Sequence, residues 1–233
     1  MTSTTLELAD HRDALIDRLC ERLFSDERVV AAWLCGSLGR RLGDAWSDID
    51  IVVLTEHERY SQFWNDRQTL FDSIGPQVFH QRPIPGNSMI PGGNFQLVVF
   101  AGPVEIDWTI APATSAVRPS DTRLLFERRP IFVAELPATT RSESESQDRI
   151  EFFWAMAPVA VKYTARDDML RVAGMISVLR ETLHAVNEKA DRPKLTRLNR
   201  QIALVEIQRL CLDAIRVGDD RKYIGIAGEV EHL

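Results

Sequence analysis

The sequence predicts an α+β protein: a mixed sheet with flanking helices, followed by a C-terminal helical bundle. Two observations carry that expectation. Between residues 29 and 110, four apolar runs of strand length (VVAAWLC, IDIVVLT, FQLVVF and VEIDWTI) are separated by Gly- and Pro-bearing stretches. Beyond about residue 140 such runs stop, and apolar residues recur at helical spacing as far as Val217. The polar stretch TTRSESESQD marks the change, so the expected domains are residues 1–140, α/β in pattern, and residues 141–233, helical in pattern.

The elements follow in order. From Leu6 to Ser25, residues Leu15, Ile16, Leu19, Cys20 and Leu23 share one helical face. Val29 to Cys35 reads as a buried strand that ends at Gly36, and Ile49 to Thr55 as a second. Glu58 to Ser73 reads as a helix stopped by Gly75-Pro76. RPIPGNSMIPGGN reads as a mobile loop. FQLVVF and VEIDWTI, joined by Ala101-Gly102-Pro103, read as a hairpin, and RPIFVAE as a short final strand after a loop. In the second half Ser142 with Glu145 fits a capping box. A bundle of about three or four helices follows, interrupted by Pro158, expected to kink its helix, by Pro193 and by Gly218.

Composition narrows the class. Hydrophobic residues make up 45% of the 233 positions and charged residues 27%, ordinary for a globular protein. No apolar run approaches the ~20 residues that span a bilayer, so no membrane partner is expected. The segment MTSTTLELADHRD lacks the basic and apolar regions of a secretory signal. Cys20, Cys35 and Cys211 show no CxxC spacing and suit a reducing, cytoplasmic setting rather than a disulfide framework or zinc site. A net charge of −6 with no Lys/Arg cluster makes nucleic acid an unlikely partner and would tolerate a cationic small molecule. Oligomeric state is not readable from these features.

The informative stretch is CGSLGRRLGDAWSDIDIVVL. Successive strand residues point to opposite faces, so Asp48 and Asp50 share one face and Ile49 and Ile51 the other. In VEIDWTI the same rule groups Glu105, Asp107 and Thr109. Two adjacent strands would thus bring three carboxylates together. Two unit charges about 4 Å apart repel by about 4 kcal/mol at an effective dielectric of ~20, so a shared proton or a divalent cation is required. All-oxygen ligands without His or Cys favour Mg²⁺ or Mn²⁺, which completes its shell with water and phosphate oxygens. Gly36 allows close backbone approach to a phosphate, Ser37 adds a hydroxyl, and a helix starting near Leu38 would add amides. Arg40 or Arg41 would neutralise further charge.

Gly36-Ser37, Arg40, Gly43 and the Ser47-Asp48-Ile49-Asp50 run together resemble the signature of the nucleotidyltransferase superfamily with the DNA polymerase β-like fold. Asp107 matches the family's downstream carboxylate, and the layout is similar to that of the aminoglycoside and lincosamide nucleotidyltransferases. The specific match covers a few tens of residues. One departure stands out: the residue after Arg40 is usually Gly in the family and is Arg41 here, with Gly39 and Gly43 nearby.

The resemblance implies transfer of a nucleoside monophosphate from an NTP, with ATP the first expectation, to an acceptor hydroxyl, with release of pyrophosphate. The implied partners are the nucleotide and a small-molecule acceptor, an antibiotic of the aminoglycoside or lincosamide kind among the options. It implies metal ligation by Asp48, Asp50 and Asp107, and nucleotide contacts from Gly36, Ser37, Arg40, Ser47 and a basic residue of the helical half, for which Lys162 stands. Asp48 and Asp50 would hold the nucleotide-bound metal, and Asp107 would help hold a second and orient the acceptor oxygen. Glu105 and Glu151 are both open as general base, Glu105 reading otherwise as a solvated or supporting carboxylate. Lys162, four residues before Arg166, also fits a solvated helix face. Phe152, Phe153 and Trp154 fit either a core or an acceptor wall, while Trp33, Leu34, Val52 and Val53 read as core. Two other readings are kept: nucleotidylation of a protein or tRNA by a toxin-like enzyme, and a non-catalytic nucleotide-binding module.

Overall fold

Burial on both faces shapes the first half of the chain. The computed structural model describes residues 3–85, 88, 90–135, 149–186 and 200–217. All six residues of β1 (Val29–Leu34) are buried, as are six of the seven in β2 (Ile49–Thr55). Such runs satisfy their backbone only inside a sheet. The other strands are β3 (Gln77–His80), β4 (Ile84–Pro85), β5 (Asn94–Phe100), β6 (Val104–Pro112), β7 (Arg118–Pro119), β8 (Arg123–Glu127) and β9 (Val133–Ala134). The main sheet is ordered β3-β5-β6-β2-β1-β8, with β4 paired to β5. β2 and β6 run parallel and the other pairs of that sheet antiparallel, so it is mixed. β7 and β9 form a separate parallel pair.

Alternation along β2 and β6 divides the core. Ile49, Ile51 and Val53 join Ile106, Trp108 and Ile110 in one apolar cluster with Leu15, Leu19 and Leu23 of α1 (Ser3–Ser25) and Phe63, Phe71 and Ile74 of α3 (Tyr60–Ile74). Each such large side chain, fully buried, contributes about 1.5–3 kcal/mol against unfolding. Val52, Leu54, Ala31, Trp33 and Ala111 form a smaller cluster on the opposite face. That second face carries the carboxylates.

The chain divides into two compact units, Met1–Glu145 and Ser146–Leu233. The second contains α4 (Arg149–Ala165), α5 (Met169–Val186) and α6 (Arg200–Val217), each packed against the other two. Phe153 and Trp154 are fully buried, which makes them core rather than an acceptor wall.

Several expectations need correction. The strand that extends the main sheet beyond β1 is Arg123–Glu127, within a stretch assigned no strand from sequence; RPIFVAE supplies only the two-residue β9. RLLFE lacks a clean alternation and is half-exposed, so its periodicity was weak. The loop RPIPGNSMIPGGN contains β4, while 86–87 and 89 lie outside the described residues. α4 runs through Pro158 to Ala165. The helical half breaks before Met169 with neither Pro nor Gly: Asp167 adopts a left-handed φ of 59°, and Asp168 Oδ1 caps α5 by accepting the Arg171 N–H at 3.2 Å. The Ser142–Glu145 capping box, Pro193 and Gly218 fall outside the described residues.

Candidate functional site

The parallel pairing of β2 with β6 decides which acids meet. In register, Ile49 faces Ile106, Asp50 faces Asp107 and Ile51 faces Trp108. Opposed residues of neighbouring strands place their side chains about 5 Å apart, so the two carboxylates are neighbours by construction. Asp48 lies just before β2 begins, two residues upstream of Asp50, and Glu105 lies two residues upstream of Asp107 in β6. Asp48, Asp50 and Asp107 are half-buried, whereas Glu105 is only 4% exposed, so Glu105 is not the solvated carboxylate of one sequence reading. Asp107 Oδ1 is shielded from solvent.

The Gly-Ser turn abuts this pair. The Cys35 N–H donates to the Asp50 carbonyl at 2.8 Å, tying the end of β1 to β2. The chain then enters α2 (Gly36–Gly39), a single turn rather than a helix extending to Leu42. Gly36 has a φ of 59°, and a Cβ there would lie 2.0 Å from Asp50 Oδ2. Only glycine combines that backbone with that contact. Asp50 is thereby held with its carboxylate against the turn. Gly39 is constrained as well, because a Cβ on it would meet the Leu34 carbonyl oxygen at 2.5 Å.

The residue that departs from the family signature is conformationally informative. Arg41 adopts a φ of 60°, the left-handed region that glycine enters freely and other residues enter at a cost of about 1 kcal/mol or more. The turn keeps its shape despite the arginine, closed by the Leu42 N–H to the Ser37 carbonyl at 2.8 Å. Arg41 is exposed, and Arg40 is half-exposed with Nη1 3.8 Å from Asp121 Oδ2.

Ser47 builds the loop that delivers Asp48. Its hydroxyl donates to Asp44 Oδ1 at 3.0 Å and accepts the Asp44 N–H at 2.9 Å, while the Trp46 N–H also donates to Asp44 Oδ1. Arg12 of α1, 7% exposed, donates from Nη1 to the Asp44 carbonyl and so braces this loop from the helix side. Sequence reasoning missed that brace, since Arg12 lies on a polar-looking helix start far from Asp44 in the chain.

Lys162 lies in α4 of the second unit and is 4% exposed, which excludes a solvated helix face. Glu151 of the same helix is 1% exposed. An ammonium and a carboxylate so buried require partners in the protein, and both are engaged. Among the described residues, no three His, Cys, Asp or Glu side chains form a ready-made metal cage. A magnesium site does not need one, since one or two carboxylates plus phosphate oxygens suffice. The oxygen-only donors and the close seat of Asp50 beside Gly36 fit such an ion.

No family model and no curated protein matches the chain. Among solved structures the chain is similar to an aminoglycoside 6-adenyltransferase from Bacillus subtilis, at 12% identity over 100% of this chain and 98% of that chain, with a TM-score of 0.34. No helix among the described residues is long and apolar enough to cross a membrane.

Proposed function

We propose that the chain is a nucleotidyltransferase that moves a nucleoside monophosphate from an NTP, ATP first among them, to a hydroxyl of a small acceptor and releases pyrophosphate. The observation that carries the reading is the in-register pair Asp50–Asp107 with the left-handed Gly36 seated against the Asp50 carboxylate. A strand pair with a purely structural task gains nothing from two like charges side by side. Asp48 and Asp50 would hold a magnesium or manganese ion, and Asp107 would help hold a second. When bound, the metal supplies charge neutralisation on the phosphate oxygens and on the attacking oxygen.

The chain's own groups have separable tasks in this reading. Gly36 leaves room for the Asp50 carboxylate against the turn, and Ser37 offers a hydroxyl donor. Asp107 orients the acceptor hydroxyl by accepting its hydrogen bond. Arg40, half-exposed at the turn, is available for the triphosphate. Ser47 acts on the loop: its exchange of hydrogen bonds with Asp44 sets where Asp48 enters β2. A cationic or neutral acceptor, of which an aminoglycoside is one type, suits a chain of net charge −6 better than a polyanion does.

The test is a pyrophosphate-release screen of each NTP against aminoglycosides, lincosamides, tRNA and proteins. Metal-dependent release with a small hydroxylated acceptor supports the proposal. Release with tRNA or protein alone moves the acceptor to a macromolecule, and nucleotide binding without release under any condition leaves a binding module.

A further inference from the structure

A cation outside the sequence signature lies at this same end of the sheet. β8 starts at Arg123, which pairs with Leu34, so Thr122 comes level with Cys35 at the mouth of the Gly-Ser turn. The segment before β8 leans on that turn: a Cβ on Gly39 would lie 3.5 Å from the Asp121 carbonyl oxygen. Its backbone is held by the Arg118 N–H to the Phe132 carbonyl at 2.9 Å and the Ser120 N–H to the Ala134 carbonyl at 3.0 Å. Thr122 Oγ1 donates to the Pro119 carbonyl at 2.6 Å and accepts from Arg118 Nη1 at 3.2 Å. The Arg118 guanidinium is therefore fixed to a hydroxyl beside the turn.

Arg118 is half-buried, its Nε is buried with no acceptor, and among the described residues no carboxylate forms an ion pair with it. A guanidinium offers five N–H donors in a planar fork, and one hydroxyl occupies only one of them. Such a fork favours a phosphate, which it grips in bidentate fashion. Across the sheet the order is Asp107 on β6, Asp50 on β2, the turn after β1, then Thr122 before β8. With strands about 4.8 Å apart, Thr122 stands roughly 10 Å from Asp50, on the far side of the turn.

We propose that Arg118, presented by Thr122, is an anion-binding residue that holds the β- and γ-phosphates of the nucleotide. The inference rests on the transfer reading and adds the group that receives the leaving side. In that reaction the acceptor oxygen forms a bond to the α-phosphorus while its proton passes to a carboxylate base. The bond from the α-phosphorus to the bridging oxygen breaks, and pyrophosphate departs with the electron pair. Arg118 neutralises charge on that departing group.

The test is calorimetric titration of the full chain with Mg-ATP, inorganic pyrophosphate and AMP, comparing the parent with Arg118→Met, Arg118→Lys and Thr122→Val. Arg118→Met is expected to weaken Mg-ATP and pyrophosphate roughly tenfold to a hundredfold and to leave AMP unchanged. Arg118→Lys should recover part of the loss, and Thr122→Val should weaken pyrophosphate by a few-fold with the cation still present. The Thr122 variant and the lysine also decide the matter if Arg118→Met does not fold. Equal pyrophosphate affinity in the parent and the Arg118 variants overturns the inference alone. Arg118-dependent pyrophosphate binding without any nucleotide binding sinks the transfer reading and leaves the anion site standing; no binding of either sinks both.

Discussion

Between α5 and α6, Glu206 sits 2.7 Å from Arg180 and 2.9 Å from Arg209, opposite charges brought together by packing. At the mouth of β2 and β6, register sets Asp50 opposite Asp107, like charges brought together by pairing. Both arrangements place acids in partly dry surroundings, and their consequences for stability have opposite signs. Burial pushes the Glu206 carboxyl up, yet the hydrogen bonds from Arg209 and Arg180 outweigh it and hold the group below its usual range. The helical acid therefore serves the folded state. The sheet acids are tolerated by a fold whose opposite face, around Trp108 and Phe71, supplies the stability. The same chemical change, acid to amide, should separate the two regions.

The largest effect is expected at the sheet mouth and in activity alone. Asp48→Asn and Asp50→Asn should each lower nucleotidyl transfer about a thousandfold, which corresponds to about 4 kcal/mol of transition-state stabilisation. Asp50→Asn should at the same time stabilise the metal-free protein by between about 1 and 3 kcal/mol, because repulsion across about 5 Å is relieved. A turnover assay beside a denaturant titration reads both. If Asp48→Asn bound Mg-ATP and turned over like the parent, the metal reading would be wrong.

Gly36→Ala comes next. The new Cβ displaces the Asp50 carboxylate, a movable group, and imposes a left-handed backbone on alanine. A loss of about 1–2 kcal/mol in stability is expected, with a loss of at least a hundredfold in turnover. Activity and stability falling in proportion would show that Gly36 serves the fold rather than the seat of Asp50.

Asp107→Asn sharpens the division within the sheet acids. Turnover should vanish while Mg-ATP still binds within about threefold of the parent by calorimetry, because the role proposed for Asp107 is on the acceptor side. Equal loss of both would place Asp107 on the nucleotide.

The smallest effect belongs to the helices. Glu206→Gln should cost about 2 kcal/mol in denaturant titration, opposite in sign to Asp50→Asn. A carboxyl held below its unfolded value of about 4.3 contributes stability that is full above that pH and lost as the pH falls through the folded value. The parent should thus lose more stability between pH 5 and pH 2 than Glu206→Gln does. Identical acid limbs would show that Arg180 and Arg209 do not stabilise the charge.

Much of this was legible in local pattern. Val29–Leu34 and Ile49–Thr55 announced themselves as apolar runs, and Gly75 marked the end of α3, because burial on both faces and helix termination are written in adjacent residues. The spacing of Asp48, Asp50 and Asp107 assigned each to one face of its own strand, since a strand's period is two. The irregular RLLFE and the Asp167-Asp168 break were not legible, because their signals are short and their partners remote.

What the sequence determined alone was which residues alternate inward, where the glycines fall, and that carboxylates stand at strand mouths. Tertiary structure decided that β2 and β6 run parallel with Asp50 opposite Asp107, that Gly36 turns left-handed against that carboxylate, and that Arg118 arrives beside the turn from 68 residues beyond Asp50. The physical reason is range. Periodicity and turn chemistry act between neighbours in the chain, whereas register is selected by burying whole apolar faces at once, and only that selection brings distant charges together.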